Sequence, residues 1–153
     1  MTSFAKARGL AFIVPLALMR GAWGSQYIGG LVPCEMCVWQ RWPHLAAIPL
    51  AALAFVVPSR WIVALAALAI LTSGGIGFYH AGVEYGWFEG LTTCTQIPGD
   101  ASGDLIADIM KAPLVRCDQA QWTLFGISLA GYNALLSGGA ALLIFVLLGR
   151  KNR

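Results

Sequence analysis

Four apolar segments, separated by polar or charged residues, restrict what this chain can fold into. They cover residues 10–28, 43–57, 61–79 and 122–148. A helix needs roughly 20 apolar residues to cross a bilayer, and the second segment, which is shorter, can be extended outward by Val38 and Trp39. A composition of 58% hydrophobic and 11% charged residues is not that of a soluble domain. The sequence predicts an all-α integral membrane protein, a single domain over residues 1–153 that forms a four-transmembrane-helix bundle.

The basic residues predict how this bundle is oriented, because short loops rich in Lys and Arg stay in the cytoplasm. Such residues precede the first segment, separate the second from the third and follow the fourth: Lys6, Arg8, Arg60, Arg150, Lys151 and Arg153. We therefore expect a bacterial inner-membrane protein with both termini in the cytoplasm and with periplasmic loops at 29–42 and 80–121. The net charge of +3 is scattered, so no nucleic-acid partner is expected.

The first segment has one alternative interpretation, a cleaved signal peptide. Lys6 and Arg8 precede it, and residues 22–24 resemble a small-residue cleavage site. Arg20 interrupts the apolar run, however, and removal of this helix would leave only three spans. A membrane span is therefore the favoured interpretation.

All four cysteines lie in the two predicted outer loops. Cys34 and Cys37 form a C-x-x-C pair in the first loop, whereas Cys94 and Cys117 lie far apart in the second. Disulfides persist on this side of a bacterial inner membrane. The short spacing of Cys34 and Cys37 favours a local redox pair, which leaves Cys94 with Cys117.

Arg41 follows the C-x-x-C pair at the mouth of the second segment. If this stretch is helical, Cys37 and Arg41 share a face, and the guanidinium can stabilise both a Cys37 thiolate and an anionic form of a bound electron acceptor. Pro43 is a possible break in that helix.

Three other interpretations of the cysteines were considered. A c-type haem site requires His directly after the second cysteine, where this chain has Val38. A zinc site built from all four cysteines would combine a short spacing with a long one, unlike the repeated short spacing of a zinc knuckle. Plain structural disulfides are the third alternative. The favoured interpretation is a redox site without a metal.

Other polar residues lie near the same predicted level. His80 follows the third segment and is either a site residue or an interfacial polar group. His44 comes three residues after Arg41 and is either a further cofactor-binding residue or a structural one, of which the structural role is favoured. Asn133 in the fourth segment is placed to hydrogen-bond across the bundle. In the second loop, residues 104–111 form a short amphipathic helical pattern, which would lie on the membrane surface or pack against the bundle.

Together these residues resemble the bacterial disulfide bond formation protein B family, DsbB, over nearly the whole chain. The resemblance rests on Cys34-Glu35-Met36-Cys37 followed by Arg41, on His80 after the third segment, on Cys94 and Cys117 in the long loop, and on Gln121-Trp122 before the fourth segment.

The resemblance implies a quinone-linked thiol oxidase, with ubiquinone or menaquinone as the cofactor and a periplasmic thioredoxin-fold dithiol oxidase, DsbA-like, as the partner. In that family's scheme, the partner attacks Cys94, Cys117 then attacks Cys34, and Cys37 transfers electrons to the quinone. Arg41 and His80 match quinone-site positions.

Two other functions remain as alternatives. A vitamin-K-epoxide-reductase-like enzyme also combines a helical bundle with a quinone, but its quinone-side cysteines typically come after the loop cysteines, whereas here they come first. A non-enzymatic tetraspan structural or assembly subunit with incidental disulfides is the second alternative.

Overall fold

The computed structural model describes residues 2–90 and 115–150. They form four long α-helices and one two-stranded hairpin: α1 (Ser3–Tyr27), α2 (Glu35–Val56), α3 (Arg60–Glu84), β1 (Thr123–Leu124), β2 (Ile127–Ser128) and α4 (Leu129–Gly149). The prediction of a helical architecture is confirmed, with the short hairpin as an addition. Cys94 and the amphipathic pattern at 104–111 lie outside the described residues.

Two of the helices, α3 and α4, are long and apolar enough to cross a membrane. Helix α1 contains Pro15, and α2 contains Pro43 and Pro49 together with several polar residues of the site described below. The membrane character of the chain is therefore most evident in its second half.

Helix α2 begins at Glu35, ahead of the apolar segment at 43–57, and continues through both of its prolines. The break that the sequence suggested at Pro43 is not present. A proline inside a helix removes one backbone hydrogen bond, and packing against neighbouring helices in a bundle makes this tolerable. Cys37 and Arg41 consequently lie on the same helix, one turn apart.

Helix α4 begins at Leu129, whereas the apolar segment begins at residue 122. The residues between form an antiparallel hairpin in which Thr123 faces Ser128. Its turn contains Phe125 at φ 51° and Gly126 at φ 77°, a left-handed backbone that is incompatible with a continuous helix. Ser128 then caps α4, because its hydroxyl accepts a hydrogen bond from the Gly131 N–H at 3.1 Å.

Two apolar clusters form the core. The larger lies at the end of the bundle that carries the basic loop residues and consists mostly of alanine: Ala7, Ala11, Ala47, Ala51, Ala54, Val63, Ala66, Ala67, Ile70, Ala141, Ile144 and Leu147. The smaller lies at the opposite end: Cys34, Met36, Val83, Val115 and Cys117. The redox cysteines are therefore part of the packed core at one end of the molecule.

Helices α3 and α4 approach each other closely through small residues. A Cβ atom on Gly77 would lie 3.0 Å from the Ala130 carbonyl oxygen, and one on Gly74 would lie 3.0 Å from the Gly138 nitrogen. The small residues Ala130, Ala134 and Gly138 of α4 thus pack against Gly74 and Gly77 of α3.

Candidate redox site

Cys34 and Cys37 meet at the start of α2. Both are free thiols, and Cys34 caps the helix, because its Sγ accepts a hydrogen bond from the Cys37 N–H at 3.2 Å. The Cys34 thiol donates to the Cys37 sulfur at 2.8 Å. In this hydrogen bond Cys34 is the donor and keeps its proton, whereas Cys37 is the acceptor and is best stabilised as a thiolate.

The pKa values of the two thiols are shifted in opposite directions. The hydrogen bond with Cys37, followed by burial, raises the pKa of Cys34. The same bond lowers the pKa of Cys37 below the ordinary thiol value of 9.0, and the charge of Arg41 adds a smaller contribution in the same direction. Cys37 lies in the first turn of α2, ahead of the apolar span at 43–57, where the helix dipole also favours an anion. The negative charge of the reduced pair is therefore assigned to Cys37.

Arg41 lies one turn after Cys37, as predicted, but its hydrogen bond is made elsewhere. Its Nη1 donates to Oε1 of Gln26 on α1 at 2.6 Å. The guanidinium thus acts on Cys37 through its charge and is held in place by the first helix.

His80 lies on α3 beside the dithiol. Its Nε2 is 3.6 Å from the Cys34 Sγ and 3.7 Å from Oε1 of Glu84, one turn further along α3. Its Nδ1 is 2.8 Å from Nε2 of Gln40. The ring is almost completely buried, so His80 belongs to the redox pair's surroundings rather than to the interface with solvent.

Cys117 approaches the pair from the second loop. It packs in the same apolar cluster as Cys34, and its backbone hydrogen-bonds the His80 ring. Cys117 is disulfide-bonded. Nearby, Gln121 Nε2 donates to the Val32 carbonyl oxygen at 2.6 Å, which ties this part of the second loop to the first.

A buried polar network continues from His80 into the bundle. Asn133 on α4 is its centre: its Nδ2 donates to Gln40 Oε1 at 2.8 Å and to the Ser73 carbonyl oxygen at 3.1 Å. Its Oδ1 lies 3.0 Å from Nε2 of His44 and accepts from Ser137 Oγ at 2.8 Å. The predicted cross-bundle role of Asn133 is present, and it joins both histidines to one network.

A cavity of about 380 Å³ opens beside these groups. Its lining includes five of the predicted site residues: Cys34, Cys37, Arg41, His44 and His80. Apolar residues of α1 and α4, such as Leu18, Ala22 and Leu136, form part of the remaining lining, and residues of the second loop, such as Arg116 and Gln121, complete it. This combination of apolar walls and a few polar groups is typical of small-molecule sites.

Cys34, Cys37 and His80 also have the residue types of a metal site, since their ligand atoms lie within 4.8 Å of one another. A metal bound at Nε2 of His80 would require that nitrogen to be unprotonated. The Gln40 amide nitrogen donates a hydrogen bond to Nδ1 of His80. Because Nδ1 accepts this bond, the proton of the neutral ring is on Nε2 instead. The geometry therefore favours a dithiol site over a metal centre.

The sequence did not single out Gln40, Glu84 or Gln26. Gln40 is a buried polar residue three positions after Cys37, and Glu84 follows His80 by four residues, so each shares a helix face with a predicted site residue. The acidic side chain of Glu84, which was expected in the outer loop, is instead part of α3 and lines the cavity.

The family model for "Disulfide bond formation protein DsbB" matches residues 5–147. The chain belongs to the DsbB family. The resemblance inferred from the cysteine pattern is thus confirmed. DsbB membership together with the apolar helices makes the chain a membrane protein of the disulfide-forming oxidoreductase class.

Curated relatives agree with this assignment. A Disulfide bond formation protein B of Verminephrobacter eiseniae is 31% identical over 140 residues, which cover 84% of this chain and 76% of the relative. Disulfide bond formation protein B 2 of Pseudomonas syringae pv. syringae is 30% identical over 152 residues, with 91% and 86% covered. An uncharacterized protein of Rickettsia prowazekii is 28% identical over 139 residues, with 87% and 80% covered. No solved structure matches the chain.

Proposed function

We propose that this DsbB-family protein is a quinone-dependent thiol:disulfide oxidoreductase that reoxidises a periplasmic thioredoxin-fold dithiol oxidase. One observation carries the proposal: a buried dithiol, polarised so that Cys37 holds the negative charge, lines a largely apolar cavity together with Arg41. A structural disulfide needs no such cavity and no such polarity.

The electron path follows from two disulfide exchanges. The reduced partner gives two electrons and two protons to a Cys94–Cys117 disulfide and becomes oxidised itself. The resulting Cys117 thiolate attacks the Cys34 sulfur of a Cys34–Cys37 disulfide, and Cys37 leaves as the thiolate. Cys94 then attacks the Cys117 sulfur and Cys34 leaves as the thiolate, which restores the Cys94–Cys117 disulfide and leaves Cys34 and Cys37 reduced. The packing of Cys117 in one cluster with Cys34 supports this order.

The cavity fits a quinone head group by size and by chemistry. Its volume of about 380 Å³ is within the range of small-molecule sites. Arg41 supplies a cation, and the buried Nδ1 of His44 has no hydrogen-bond partner among the described residues, as expected for an atom that contacts a ligand. A bound ubiquinone or menaquinone would supply an acceptor for two electrons and two protons.

The chain's own residues prepare Cys37 to lose electrons. The Cys34 thiol and the start of α2 stabilise the Cys37 thiolate, and Arg41 adds positive charge on the same helix face. Gln26 holds Arg41 at the cavity wall. The apolar walls exclude water from this region, which strengthens each of these electrostatic effects.

We further propose that all four helices span the inner membrane, with both termini cytoplasmic and the cysteine loops periplasmic. Helices α1 and α2 are about as long as α3 and α4, with 25 and 22 residues. Exposed aromatic residues near the cysteine end support an outer interfacial belt: Trp23, Tyr27, Trp39, Trp42, Trp87 and Trp122.

A quinone-reduction assay on purified protein tests the function. With a reduced thioredoxin-fold partner as the donor, we expect Cys37→Ala to abolish the absorbance change of quinone reduction. Val38→Ala, on the same turn but not part of the cavity lining, should retain nearly full activity.

Sustained quinone reduction by Cys37→Ala would refute the proposed route. Inactivity of the unsubstituted protein with both ubiquinone and menaquinone analogues would instead favour a non-enzymatic tetraspan subunit.

A further inference from the structure

We propose that Asn133 is a positioning residue which, through Gln40, keeps His80 in the tautomer with its proton on Nε2. His80 is then a fixed hydrogen-bond donor to the groups around Cys34 rather than a base. The inference deepens the proposed function, on which its mechanistic meaning rests, but the hydrogen-bond directions can be tested without any quinone.

The direction of the Gln40 amide is set by a backbone carbonyl. Its Nε2 lies 3.1 Å from the Met36 carbonyl oxygen, which can only accept a hydrogen bond. The amide nitrogen must therefore be on this side, and the same Nε2 lies 2.8 Å from Nδ1 of His80. Nδ1 thus accepts a hydrogen bond, and a neutral imidazole must then carry its proton on Nε2.

Asn133 fixes the other end of the Gln40 amide by the same logic. Its Nδ2 lies 3.1 Å from the Ser73 carbonyl oxygen, so this atom is also a nitrogen that donates. It donates to Gln40 Oε1 at 2.8 Å. Rotation of the Gln40 amide by half a turn would place its oxygen against the Met36 carbonyl and its nitrogen against the Asn133 N–H. Both contacts would be repulsive, and buried polar groups without partners are costly.

The surroundings of His80 Nε2 agree with a proton at this atom. The Cys34 sulfur at 3.6 Å and Glu84 Oε1 at 3.7 Å can both accept, and the ring also hydrogen-bonds the Cys117 backbone. A fixed N–H at this place stabilises the negative charge that develops on Cys34 when this sulfur leaves the mixed disulfide with Cys117. It also connects the Cys34 site with the segment that carries Cys117.

The same reasoning applies to the second histidine. Asn133 Oδ1 accepts from Ser137 Oγ, and it is 3.0 Å from Nε2 of His44, so this nitrogen must donate. The proton of neutral His44 is therefore also on Nε2, and its Nδ1, which has no hydrogen-bond partner among residues 2–90 and 115–150, carries a lone pair. One asparagine thus determines the tautomers of both histidines.

Nitrogen-15 NMR of the reduced, quinone-free protein labelled at histidine tests this directly. The chain has two histidines, so a His44→Gln variant assigns both spectra. We expect both rings to be neutral with Nε2 protonated, and His80 to favour this tautomer about fivefold more strongly than a free imidazole does, the excess that one net hydrogen bond supplies.

Asn133→Leu should bring the tautomer ratio of His80 close to that of a free imidazole, whereas Leu135→Ala, an exposed residue on the same helix, should leave the ratio unchanged. A proton on Nδ1 of His80 in the unsubstituted protein would overturn the inference even if Asn133→Leu did not fold. An unchanged His80 spectrum in folded Asn133→Leu would also overturn it. Neither NMR result depends on quinone reduction. Failure of the tautomer inference would therefore leave the proposed function untouched, and the quinone-reduction assay tests that function separately.

Discussion

At the scale of residues, the two thiols of the C-x-x-C pair are made unequal by their position on one helix. Cys34 precedes α2 and caps it, whereas Cys37 lies within the first turn. The cap places the Cys34 thiol where it can donate to Cys37. An asymmetric pair is useful for electron transfer in one direction, because one sulfur exchanges with another cysteine while the other remains beside the cavity.

This asymmetry predicts how alkylation of Cys37 depends on pH. Because the Cys34 thiol lowers the pKa of Cys37 below 9.0, the thiolate already forms below that pH. The rate constant for reaction with iodoacetamide should therefore rise with pH along a titration curve whose midpoint lies below pH 9.0.

Cys34→Ala removes the donor and should move this midpoint to higher pH, by about one unit for a hydrogen bond to a charged group. Cys34→Ser retains a hydroxyl donor and should move it less. The alkylation of Cys37 is followed by mass spectrometry of the modified peptide. Equal midpoints in the Cys34→Ala and Cys34→Ser variants would show that Cys34 does not polarise Cys37.

The sequence indicated that Cys37, Arg41 and His80 lie at one level of the bundle, and the structure places them around one cavity. The sequence did not indicate the contact of Arg41 with Gln26 or the contact of His80 with Gln40. Spacing along a helix predicts which residues share a face, but partners on other helices depend on how each helix is rotated, which periodicity does not determine.

At the scale of elements, α3 and α4 pack closely against each other through small residues. Glycines on α3 allow the backbone of α4 to approach, and this approach brings Asn133 to Gln40 and Ser73. The packing of these two helices and the polar network therefore depend on each other.

Gly77→Ala should disturb this contact, because the added Cβ would lie 3.0 Å from the Ala130 carbonyl, Asn133 Nδ2 and Gln40 Oε1. We expect a loss of about 1–3 kcal/mol, as for other overpacked sites, measured as a lower midpoint of thermal unfolding in detergent. Gly75→Ala, which has open space on the same helix, is the matched control and should be neutral or slightly stabilising. A midpoint as high for Gly77→Ala as for Gly75→Ala would contradict this packing.

The elements were predictable where hydropathy alone determines them. Helices α1 and α3 include the first and third apolar segments almost completely. Helix α2 extends through a polar redox motif, and α4 begins only after the Phe125-Gly126 turn. Neither boundary is marked by hydropathy, because the first is set by the Cys34 cap and the second by a left-handed backbone and the Ser128 cap.

At the scale of the whole molecule, the two ends of the bundle have different chemistry. The end opposite the cysteines contains basic residues whose hydrogen bonds go to helix carbonyls: Arg8 Nη1 donates to Ala54 O at 3.3 Å, and Arg60 Nη1 donates to Leu148 O at 2.8 Å. Both carbonyls belong to the last turn of a helix, α2 or α4, and arginines at this end of the bundle agree with the proposed cytoplasmic side.

Cysteine labelling in intact spheroplasts tests the proposed orientation. In a chain with all four cysteines replaced by serine, Gln119→Cys should react with a membrane-impermeant maleimide without permeabilisation. Pro58→Cys, in the short connection between α2 and α3, should react only after the membrane is opened. Both side chains are exposed, so access to the reagent is limited only by the membrane. The reverse pattern would invert the topology and exclude a periplasmic partner.

The sulfur that caps α2 has a consequence for folding as well as for redox chemistry. A capping Ser, Thr, Asp or Asn typically contributes about 0.5–2 kcal/mol to the start of a helix, and here the capping atom is a sulfur that exchanges bonding partners in the proposed cycle. In that cycle, each electron pair that passes through Cys34 also alters how firmly the first turn of α2 is anchored, so the local backbone conformation follows the redox state of the pair.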